Sequence, residues 1–252
     1  MKTNLDPSVM VLVKNESYFL PYVLAQTIGY FTSYVIYDVG STDNTREIID
    51  WFTGKMDGRA DLYVRYLPHV PREVQGTFRN SMIVEGDRPS YFILDGDELY
   101  TPEDMRKVLQ AAADLQMKNS ANPLKRYGVF KRIEVTEDLT QRYVKERSHH
   151  RLYTADAFWT GTHPGEVPAY KQNEFSETYY PIRCWHMHNT LRSPKEEDAL
   201  LRVSRKQKRT YHPGDETSAF DLLAELPVLR KPIENFPVSP ALAALQAQHR
   251  AS

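Results

Sequence analysis

Apolar segments alternate with segments of helical periodicity along the first half of the 252-residue chain. The apolar segments predict strands at Ser8–Val13, Tyr34–Tyr37, Asp61–Leu67 and Tyr91–Leu94. Helices are predicted between these strands, the first at Ser17–Gly29, and a further helix is predicted at Thr101–Met117. Strands that alternate with helices in this way form parallel sheets covered by helices on both faces. The sequence therefore predicts an α/β fold with a doubly wound, mostly parallel sheet.

The expected strand order predicts where a ligand binds. In the order 3-2-1-4, the direction of winding reverses between strands one and four, and ligands bind beyond the carboxyl ends of the strands at that point. Those ends are residues 14–16, with the sequence KNE, and residues 95–98, with the sequence DGDE. The topology thus nominates a site before any motif is considered.

The second half of the sequence predicts a smaller, irregular region. The predicted features are strands at Tyr127–Val135 and Arg151–Tyr153, an aromatic loop broken by Gly and Pro at Phe158–Tyr170, and a helix at Asp198–Arg209. No linker separates two domains. We expect one domain over 1–210 and a C-terminal tail or peripheral extension over 211–252.

Charge balance and cysteine content exclude several classes of protein. The chain has 32 Lys and Arg against 33 Asp and Glu, so its net charge of −1 offers no general attraction to nucleic acid or to an anionic membrane. Cys184 is the single cysteine, which excludes an internal disulfide and a cysteine-based zinc site. No apolar stretch approaches the ~18 residues of a membrane span, and the first residues do not resemble a signal peptide. We expect a cytoplasmic protein.

The segment Asp95-Gly96-Asp97-Glu98 is the strongest candidate for chemistry. Two carboxylates at i and i+2 after a buried strand can face one hard cation, which keeps coordination positions free for diphosphate oxygens. Gly96 would allow close approach of the backbone to a ligand. A polar turn before the next helix is the alternative. Asp38, at the end of the second strand, could likewise accept a hydrogen bond from a nucleobase or a ribose.

Several motifs occur in the order and approximate spacing of family 2 glycosyltransferases with the GT-A fold. They are VKNE at 13–16, DVGSTDNT at 38–45, FRN at 78–80 and FILDGDE at 92–98. The chain most resembles the bacterial branch whose sequences read like VKNE, D-x-GSTD-x-T, ARN and LDADE. The resemblance continues with HRLY at 150–153, WTGTHPGE at 159–166 and HMH at 186–188. It covers about Ser8 to Arg209.

This resemblance implies a GT-A-like glycosyltransferase that transfers a sugar from a nucleotide-diphosphate sugar to an acceptor hydroxyl with inversion, assisted by Mn²⁺ or Mg²⁺. A UDP-sugar is the favoured donor, and the acceptor would be a glycan, a lipid carrier or another hydroxyl compound. Residues 1–117 would form the nucleotide-sugar-binding half, and residues 118–210 the acceptor-side half.

The resemblance also implies roles for individual residues. The implied donor-binding residues are Val13, Asn15, Glu16, Asp38, Arg79, Asp95 and Gly96. Asp38 would contact the nucleoside and Arg79 the diphosphate, although an exposed helix arginine is an equal alternative for Arg79. The implied metal ligands are Asp95, Asp97 and His188, with His186 as the alternative histidine.

The general base is expected on a different segment from the metal ligands. In an inverting transfer, the base lies across the anomeric carbon from the leaving diphosphate and accepts the proton of the acceptor hydroxyl. Glu166 on the aromatic loop is the first candidate, His163 the second and Glu98 the third. The family's late His-Glu pair is adjacent, whereas Pro164 and Gly165 separate the two residues here.

Other readings of these features stay open at the level of sequence. Trp159 and Trp185 could form a platform for an acceptor sugar or could pack in the core. The basic stretch from Arg192 to Arg209 is read as a solvated helix face, with contact to pyrophosphate or peripheral contact with an anionic lipid carrier as the alternative. A nucleotidyltransferase acting on a sugar phosphate and a non-catalytic nucleotide-sugar-binding module are the alternative functions.

Overall fold

A large sheet organises the part of the chain that the computed structural model describes, which comprises residues 6–71, 74–121, 125–143, 146–160, 167–170, 175–194, 216–217 and 221–251. The described strands are β1 (Ser8–Val13), β2 (Ser33–Asp38), β3 (Asp61–Tyr66), β4 (Ser90–Ile93), β5 (Glu98–Leu99), β6 (Lys125–Glu134), β7 (Arg142–Tyr143), β8 (Arg147–Thr154), β9 (Ala157–Thr160), β10 (Val167–Tyr170), β11 (Phe175–His186) and β12 (Glu216–Thr217). The helices of the first half are α1 (Leu20–Ala25), α2 (Thr45–Met56), α3 (Gln75–Gly86) and α4 (Pro102–Ala121).

The first four strands form the parallel half of the sheet in the predicted order. The large sheet has the order β3-β2-β1-β4-β8-β6-β11-β5. β1 pairs in parallel with β2 and with β4, so that Val13 lies opposite Asp38 and Ser8 opposite Tyr91. The β1 sequence SVMVLV is almost entirely buried, as a strand covered on both faces requires. The predicted α/β fold with a mostly parallel, doubly wound sheet is confirmed.

The second half of the sheet is mixed in direction. β8 runs antiparallel to β4 and to β6, β11 runs parallel to β6, and β5 pairs antiparallel with β11. The 12-residue strand β11 was not predicted, because its sequence FSETYYPIRCWH alternates poorly and contains Pro181. A register shift between Tyr179 and Arg183 accommodates this proline, which cannot donate a ladder hydrogen bond.

Two predicted segments differ from the structure. The segment Phe158–Tyr170, predicted as a loop, contributes to the antiparallel pair β9 and β10, in which Trp159 lies opposite Pro168. The helix predicted from Ser17 to Gly29 is confined to α1, and turns lead to Gly29, whose φ of +88° is left-handed. The helix predicted at Asp198–Arg209 lies outside the described residues.

Residues 221–251 pack against the main hydrophobic core. They include the helix Leu222–Glu225, the 3₁₀ helix Pro227–Arg230 and the helix Pro240–Ala251. Their buried side chains in the main core are Leu222, Leu223, Leu226, Leu229 and Leu242. The described part of the predicted extension is thus attached by apolar contacts, while its division from the domain at 210 remains a prediction. No described helix is both long enough and apolar enough to cross a membrane.

Candidate active site

The carboxyl ends of β1 and β4 approach each other at Gly96. A Cβ atom built on Gly96 would lie 2.8 Å from Cγ of Glu16 and 3.0 Å from Cγ1 of Val13. These distances are shorter than van der Waals contact, so a larger residue would separate the two strand ends. Gly96 therefore allows the turn after β4 to pack closely against Glu16 and Val13 at the end of β1.

A network of hydrogen bonds surrounds Asp38 at the end of β2. This carboxylate is fully buried, and its Oδ1 accepts the Ser41 N–H at 2.9 Å. Its Oδ2 accepts the Arg46 Nε–H at 2.7 Å. Asn15 has a positive φ of 53°, which lets its Oδ1 accept the Thr42 N–H at 2.8 Å while its own N–H donates to Ser41 Oγ at 2.9 Å. Both oxygens of Asp38 therefore have protein partners.

Asp43 connects three segments at the same edge. Its Oδ2 accepts the Ser17 N–H at 3.2 Å and the Ser193 hydroxyl at 2.5 Å, and its Oδ1 accepts the Thr45 N–H at 3.0 Å. Burial would raise the pKa of Asp43, but the hydrogen bonds from Ser193, Thr45 and Ser17 outweigh burial and hold the pKa below its ordinary value. The ionised carboxylate is thus part of the folded structure.

Asp97, His186 and His188 form a group that could hold a metal ion. One ligand atom from each residue lies within 4.8 Å of the others. His186 Nε2 is 3.6 Å from Asp97 Oδ1, His188 Nδ1 is 3.9 Å from Asp97 Oδ2, and the two imidazole rings stack at a centroid distance of 5.1 Å. Burial opposes ionisation of Asp97, but positive charge on His186, Arg192 and His188 lowers its pKa to about 2. The carboxylate is therefore ionised at neutral pH.

β11 brings the two histidines to the end of β4. His186 is the last residue of β11 and pairs with Glu98 of β5, and the Met187 N–H donates to the Asp97 carbonyl at 2.8 Å. His186 Nδ1 also lies 3.0 Å from Glu134 Oε2, at the end of β6. A carboxylate behind a ligating imidazole fixes its orientation and raises its basicity.

Asp95 faces arginines rather than the candidate metal-binding group Asp97, His186 and His188. Arg151 Nη2 donates to Asp95 Oδ2 at 2.5 Å, and Arg79 Nη2 lies 3.6 Å from Asp95 Oδ1. Burial would raise the pKa of Asp95, but Arg151 and Arg79 outweigh it and lower the pKa. Arg151 is the extra residue of a bulge, because pairing steps from Leu152 opposite Gly128 to His150 opposite Val129. The predicted metal ligands Asp95 and Asp97 therefore have different partners.

Glu98, the third candidate for the base, is fully buried. Its Oε1 accepts the Arg151 Nε–H at 3.0 Å and lies 3.2 Å from His149 Nδ1. Burial is the largest effect on this carboxyl and raises its pKa to about 7. Glu98, His149 and Cys184 form a second group of residues that could hold a metal ion. The Arg151 guanidinium, however, already binds the Glu98 carboxylate.

The segment FRN on α3 contacts the strand β9. Asn80 Nδ2 donates to the Trp159 carbonyl at 3.0 Å, and the Trp159 N–H donates to Asn80 Oδ1 at 2.6 Å. The Arg79 guanidinium lies over the Trp159 ring, 4.9 Å from its centroid. Trp159 therefore stacks on an arginine beside Asp95, while Trp185 is almost fully buried in the core. Arg79 Nε and Nη1 are buried without a hydrogen-bond partner among the described residues.

The sequence identified the acids of the site but not all of their partners. The predicted bases His163 and Glu166 lie outside the described residues. Arg151 and Glu134 were not among the predicted site residues, because each reaches the site from a strand of the second half. The spacing of His186 and His188 was a usable signal, since both side chains face Asp97. Val13 and Glu16 lie beside Gly96 as described above.

The donor atoms present fit a divalent transition metal. The group offers one carboxylate oxygen and two imidazole nitrogens, and Glu134 orients one imidazole from behind. Three protein ligands leave coordination positions for a bound substrate. Imidazole is a softer ligand than the oxygen atoms that Mg²⁺ prefers, so of the two predicted ions this set of ligands favours Mn²⁺.

Comparison with known proteins gives similarity at the level of the fold. No protein-family model and no curated protein matches the chain. The mannosyltransferase PcManGT from Pyrobaculum calidifontis, in complex with GDP-Man and Mn²⁺, is 14% identical over 99% of this chain and 71% of its own, with a TM-score of 0.50.

Two structures of TarS from S. aureus are also similar. One is 16% identical over 72% of this chain, with a TM-score of 0.49, and TarS 1-349 in complex with UDP is 16% identical over 74%, with a TM-score of 0.43. This chain spans 36% and 60% of those two chains. The likeness to PcManGT, which extends along almost the whole chain, agrees with the GT-A-like architecture of the sheet.

Proposed function

We propose that this protein is a family 2-like glycosyltransferase that moves a sugar from a nucleotide-diphosphate sugar to an acceptor hydroxyl with inversion, assisted by a divalent metal. The observation that carries the proposal is the convergence of Asp97, His186 and His188 at the carboxyl end of β4, within a GT-A-like sheet. PcManGT binds GDP-Man and Mn²⁺ on a similar fold, which supports a donor and a metal of the same kinds here.

Asp97, His186 and His188 would hold the metal, and Mn²⁺ is the ion that their donor atoms favour. The bound ion would neutralise charge that develops on the leaving diphosphate. Glu134 would keep the Nε2 atom of His186 directed at the ion, because it engages the opposite ring nitrogen.

The donor diphosphate is proposed to lie between the metal-binding group and Arg79. Two nitrogens of the Arg79 guanidinium have no hydrogen-bond partner among the described residues, and Trp159 supports the side chain by stacking. A guanidinium suits phosphate oxygens because its N–H groups bind them in pairs. Asp95 would remain near the ribose, and its ion pair with Arg151 fixes its orientation.

The nucleoside is proposed to lie over the ends of β1 and β2. Val13, Asn15 and Glu16 border this edge, and Asp38 lies beneath it with both oxygens already bonded. Direct contact between Asp38 and a nucleoside would therefore require Arg46 to move. Arg46 is half exposed, so such a movement meets little steric resistance.

Glu166 remains our proposal for the general base, with His163 as the alternative. The burial of Glu98 and its pairing with Arg151 leave it without access to an acceptor hydroxyl. A general base typically contributes ~10²–10⁴-fold in rate. Glu166→Gln should reduce turnover by about that factor with little change in donor affinity, as measured by steady-state kinetics and by donor titration. Near wild-type turnover of Glu166→Gln together with inactive His163→Ala would assign the base to the histidine.

A thermal-shift panel tests the proposed function. UDP-, GDP- and dTDP-sugars should each be added with and without Mn²⁺ to the wild type and to Asp97→Asn. A ligand at a hundred times its Kd stabilises the folded state by about 2.7 kcal/mol. We expect one nucleotide class to raise the Tm of the wild type more with Mn²⁺ than without it, and Asp97→Asn to lose this Mn²⁺-dependent part of the shift. Absence of a Mn²⁺-dependent shift with every donor would contradict the proposal.

A further inference from the structure

Arg192 follows the end of β11, and its main chain is fixed at the edge of the candidate site. The Tyr18 N–H donates to the Arg192 carbonyl at 2.9 Å. The adjacent Ser193 hydroxyl donates to Asp43 Oδ2 at 2.5 Å. These two contacts attach the segment to the turn after β1 and to the turn after β2. The main chain at Arg192 is therefore positioned independently of what its side chain contacts.

The Arg192 guanidinium bridges two buried carboxylates, Glu16 in the segment after β1 and Asp97 in the turn after β4. Its Nη1 contacts Oε1 of Glu16 and donates to Oδ2 of Asp97 at 3.4 Å. The side chains of Glu16 and Asp97 are only 6% and 3% exposed, respectively, so each needs a nearby positive charge when ionised. Asp97 is also the carboxylate of the metal-binding group. One oxygen of that ligand is thus already engaged by a cation supplied by the chain.

A metal ion and this guanidinium compete for the same charge. A divalent ion on Asp97 would lie within a few ångströms of Nη1, and like charges at such a distance repel strongly where water is largely excluded. Both cations also draw on the negative charge of the one Asp97 carboxylate. Occupation by the metal therefore favours withdrawal of Arg192 from Asp97, while Glu16 can continue to hold the guanidinium.

We propose that Arg192 is an internal cation of the metal site, which competes with the metal for Asp97 and is drawn away when the diphosphate of a nucleotide binds. The proposal rests on the proposed function, because it takes the metal and the nucleotide from there. Its new content is a positioning role for Arg192 and a linkage between the two ligands. A diphosphate offers the guanidinium an alternative anion, and removal of Arg192 from Asp97 frees the carboxylate for the ion.

The linkage has a consequence in both directions. If a nucleotide increases the affinity for Mn²⁺ by some factor, Mn²⁺ increases the affinity for that nucleotide by the same factor. Part of this coupling comes from direct contact between metal and phosphate, and part from relief of the competition. Only the second part depends on Arg192, so neutral substitutions separate the two.

Binding of Mn²⁺ alone gives the first test. Free Mn²⁺ can be followed by its electron paramagnetic resonance signal in titrations of the wild type, Arg192→Met, Arg192→Gln and Arg192→Lys. Without nucleotide, the two neutral variants should bind Mn²⁺ on the order of tenfold more tightly than the wild type, a typical size for coupling between two sites. Arg192→Lys keeps the charge and should resemble the wild type. Arg88→Met is the matched control, because it removes an ion pair with Asp61 at 2.6 Å that lies away from Asp97. It should leave the Mn²⁺ affinity unchanged.

The second test repeats the titrations with saturating UDP or GDP. Nucleotide should increase the Mn²⁺ affinity of the wild type, and this increase should be on the order of tenfold smaller in Arg192→Met and Arg192→Gln. Circular dichroism should show an unchanged folded state for each variant. Because Met and Gln differ in shape, a local packing defect in one variant would not produce the same result in the other.

The outcomes distinguish this inference from the proposed function. If the wild type binds Mn²⁺, Asp97→Asn does not, and the neutral Arg192 variants bind Mn²⁺ as the wild type does or more weakly, the role of Arg192 is wrong while the metal site stands. If the wild type itself binds no Mn²⁺ with or without nucleotide, the proposed function and this inference both fail. Tighter Mn²⁺ binding with reduced coupling supports the inference.

Discussion

The ends of β2 and β4 lie at the same edge of the sheet and both carry aspartates, yet their surroundings differ. At the end of β2, the partners of Asp38 are Ser41 and Arg46, which follow it within one turn and the start of α2. At the end of β4, Asp97 is surrounded by His186, His188 and Arg192, which all come from β11 and the segment after it.

This difference separates two uses of a buried carboxylate. At β2, hydrogen bonds from nearby residues already satisfy the acid, which then stabilises the turn. At β4, the acid faces imidazoles at 3.6 and 3.9 Å, which are long for hydrogen bonds but leave room for an ion between the ligand atoms. Acidic motifs at the ends of β2 and β4, the two strands that flank β1, can thus have different partners, and substitutions at the two ends should have different effects.

The largest expected effect is the loss of metal binding in Asp97→Asn. Changes behind a metal ligand typically cost 10–100-fold in affinity, so replacement of the anionic ligand itself should cost at least about 100-fold in Mn²⁺ affinity. The folded state should persist because the amide has the same shape. Isothermal titration with Mn²⁺ measures the effect, and Asp61→Asn, an exposed partner of Arg88, is the matched control. Equal Mn²⁺ affinity of Asp97→Asn and the wild type would mean that Asp97 at the end of β4 binds no metal, as we expect for Asp38 at the end of β2.

A smaller effect is expected at Glu134, which contacts His186 from behind. Glu134→Gln should weaken Mn²⁺ binding by about tenfold, because the neutral amide orients the imidazole less firmly and lowers its basicity. The control is Glu177→Gln, since Glu177 lies at the same distance of 3.0 Å from His150 but outside the metal-binding group. Mn²⁺ titration of both variants measures the effect. An equal loss of Mn²⁺ affinity in the two variants would contradict the role of Glu134.

At the end of β2, Asp38→Ala should act mainly on stability. The substitution leaves the Ser41 N–H without its carboxylate and Arg46 without its partner, at a cost of about 1–3 kcal/mol in unfolding free energy. Urea denaturation measures this cost, and Mn²⁺ affinity should stay unchanged. We also expect weaker binding of free nucleotide without metal, and an unchanged nucleotide affinity would leave Asp38 with a structural role alone.

The smallest effect, at Ser193, depends on pH. Ser193→Ala removes a hydrogen bond to Asp43 and should lower the unfolding free energy by about 1 kcal/mol near neutral pH. The pKa of Asp43 is below its ordinary value of 3.8, so its ionised form stabilises the fold above that pH, and this contribution is lost as the pH falls through the pKa of the folded state.

The difference in unfolding free energy between the wild type and Ser193→Ala should therefore be complete near neutral pH and decrease as the pH falls below the ordinary carboxyl value of 3.8. Urea denaturation across this range measures it. Ser81→Ala, which removes a hydroxyl bonded to Thr77 within α3, should show no such pH dependence. A difference that is independent of pH would mean that Ser193 does not act through the ionised Asp43.

The accuracy of prediction from sequence differs between the two halves of the sheet. The strands β1 to β4 and their order follow from short apolar segments, and the acids that end them are visible in the motifs. The 12-residue strand β11 was not predicted, because the proline and the mixture of polar and aromatic residues hide its periodicity. Without β11, no sequence argument could decide which acid His186 would face.

The sequence alone determined the parallel half of the fold and the positions of Asp38, Asp95 and Asp97 at its edge, because buried strands require apolar residues and end where polar residues begin. Only the tertiary structure decided what each acid does. Arg151 reaches Asp95 through a bulge in β8, whereas the end of β11 brings His186 and His188 to Asp97. Such contacts depend on pairing between distant strands, which local periodicity does not encode, so the cations assigned to each carboxylate are a property of the folded sheet.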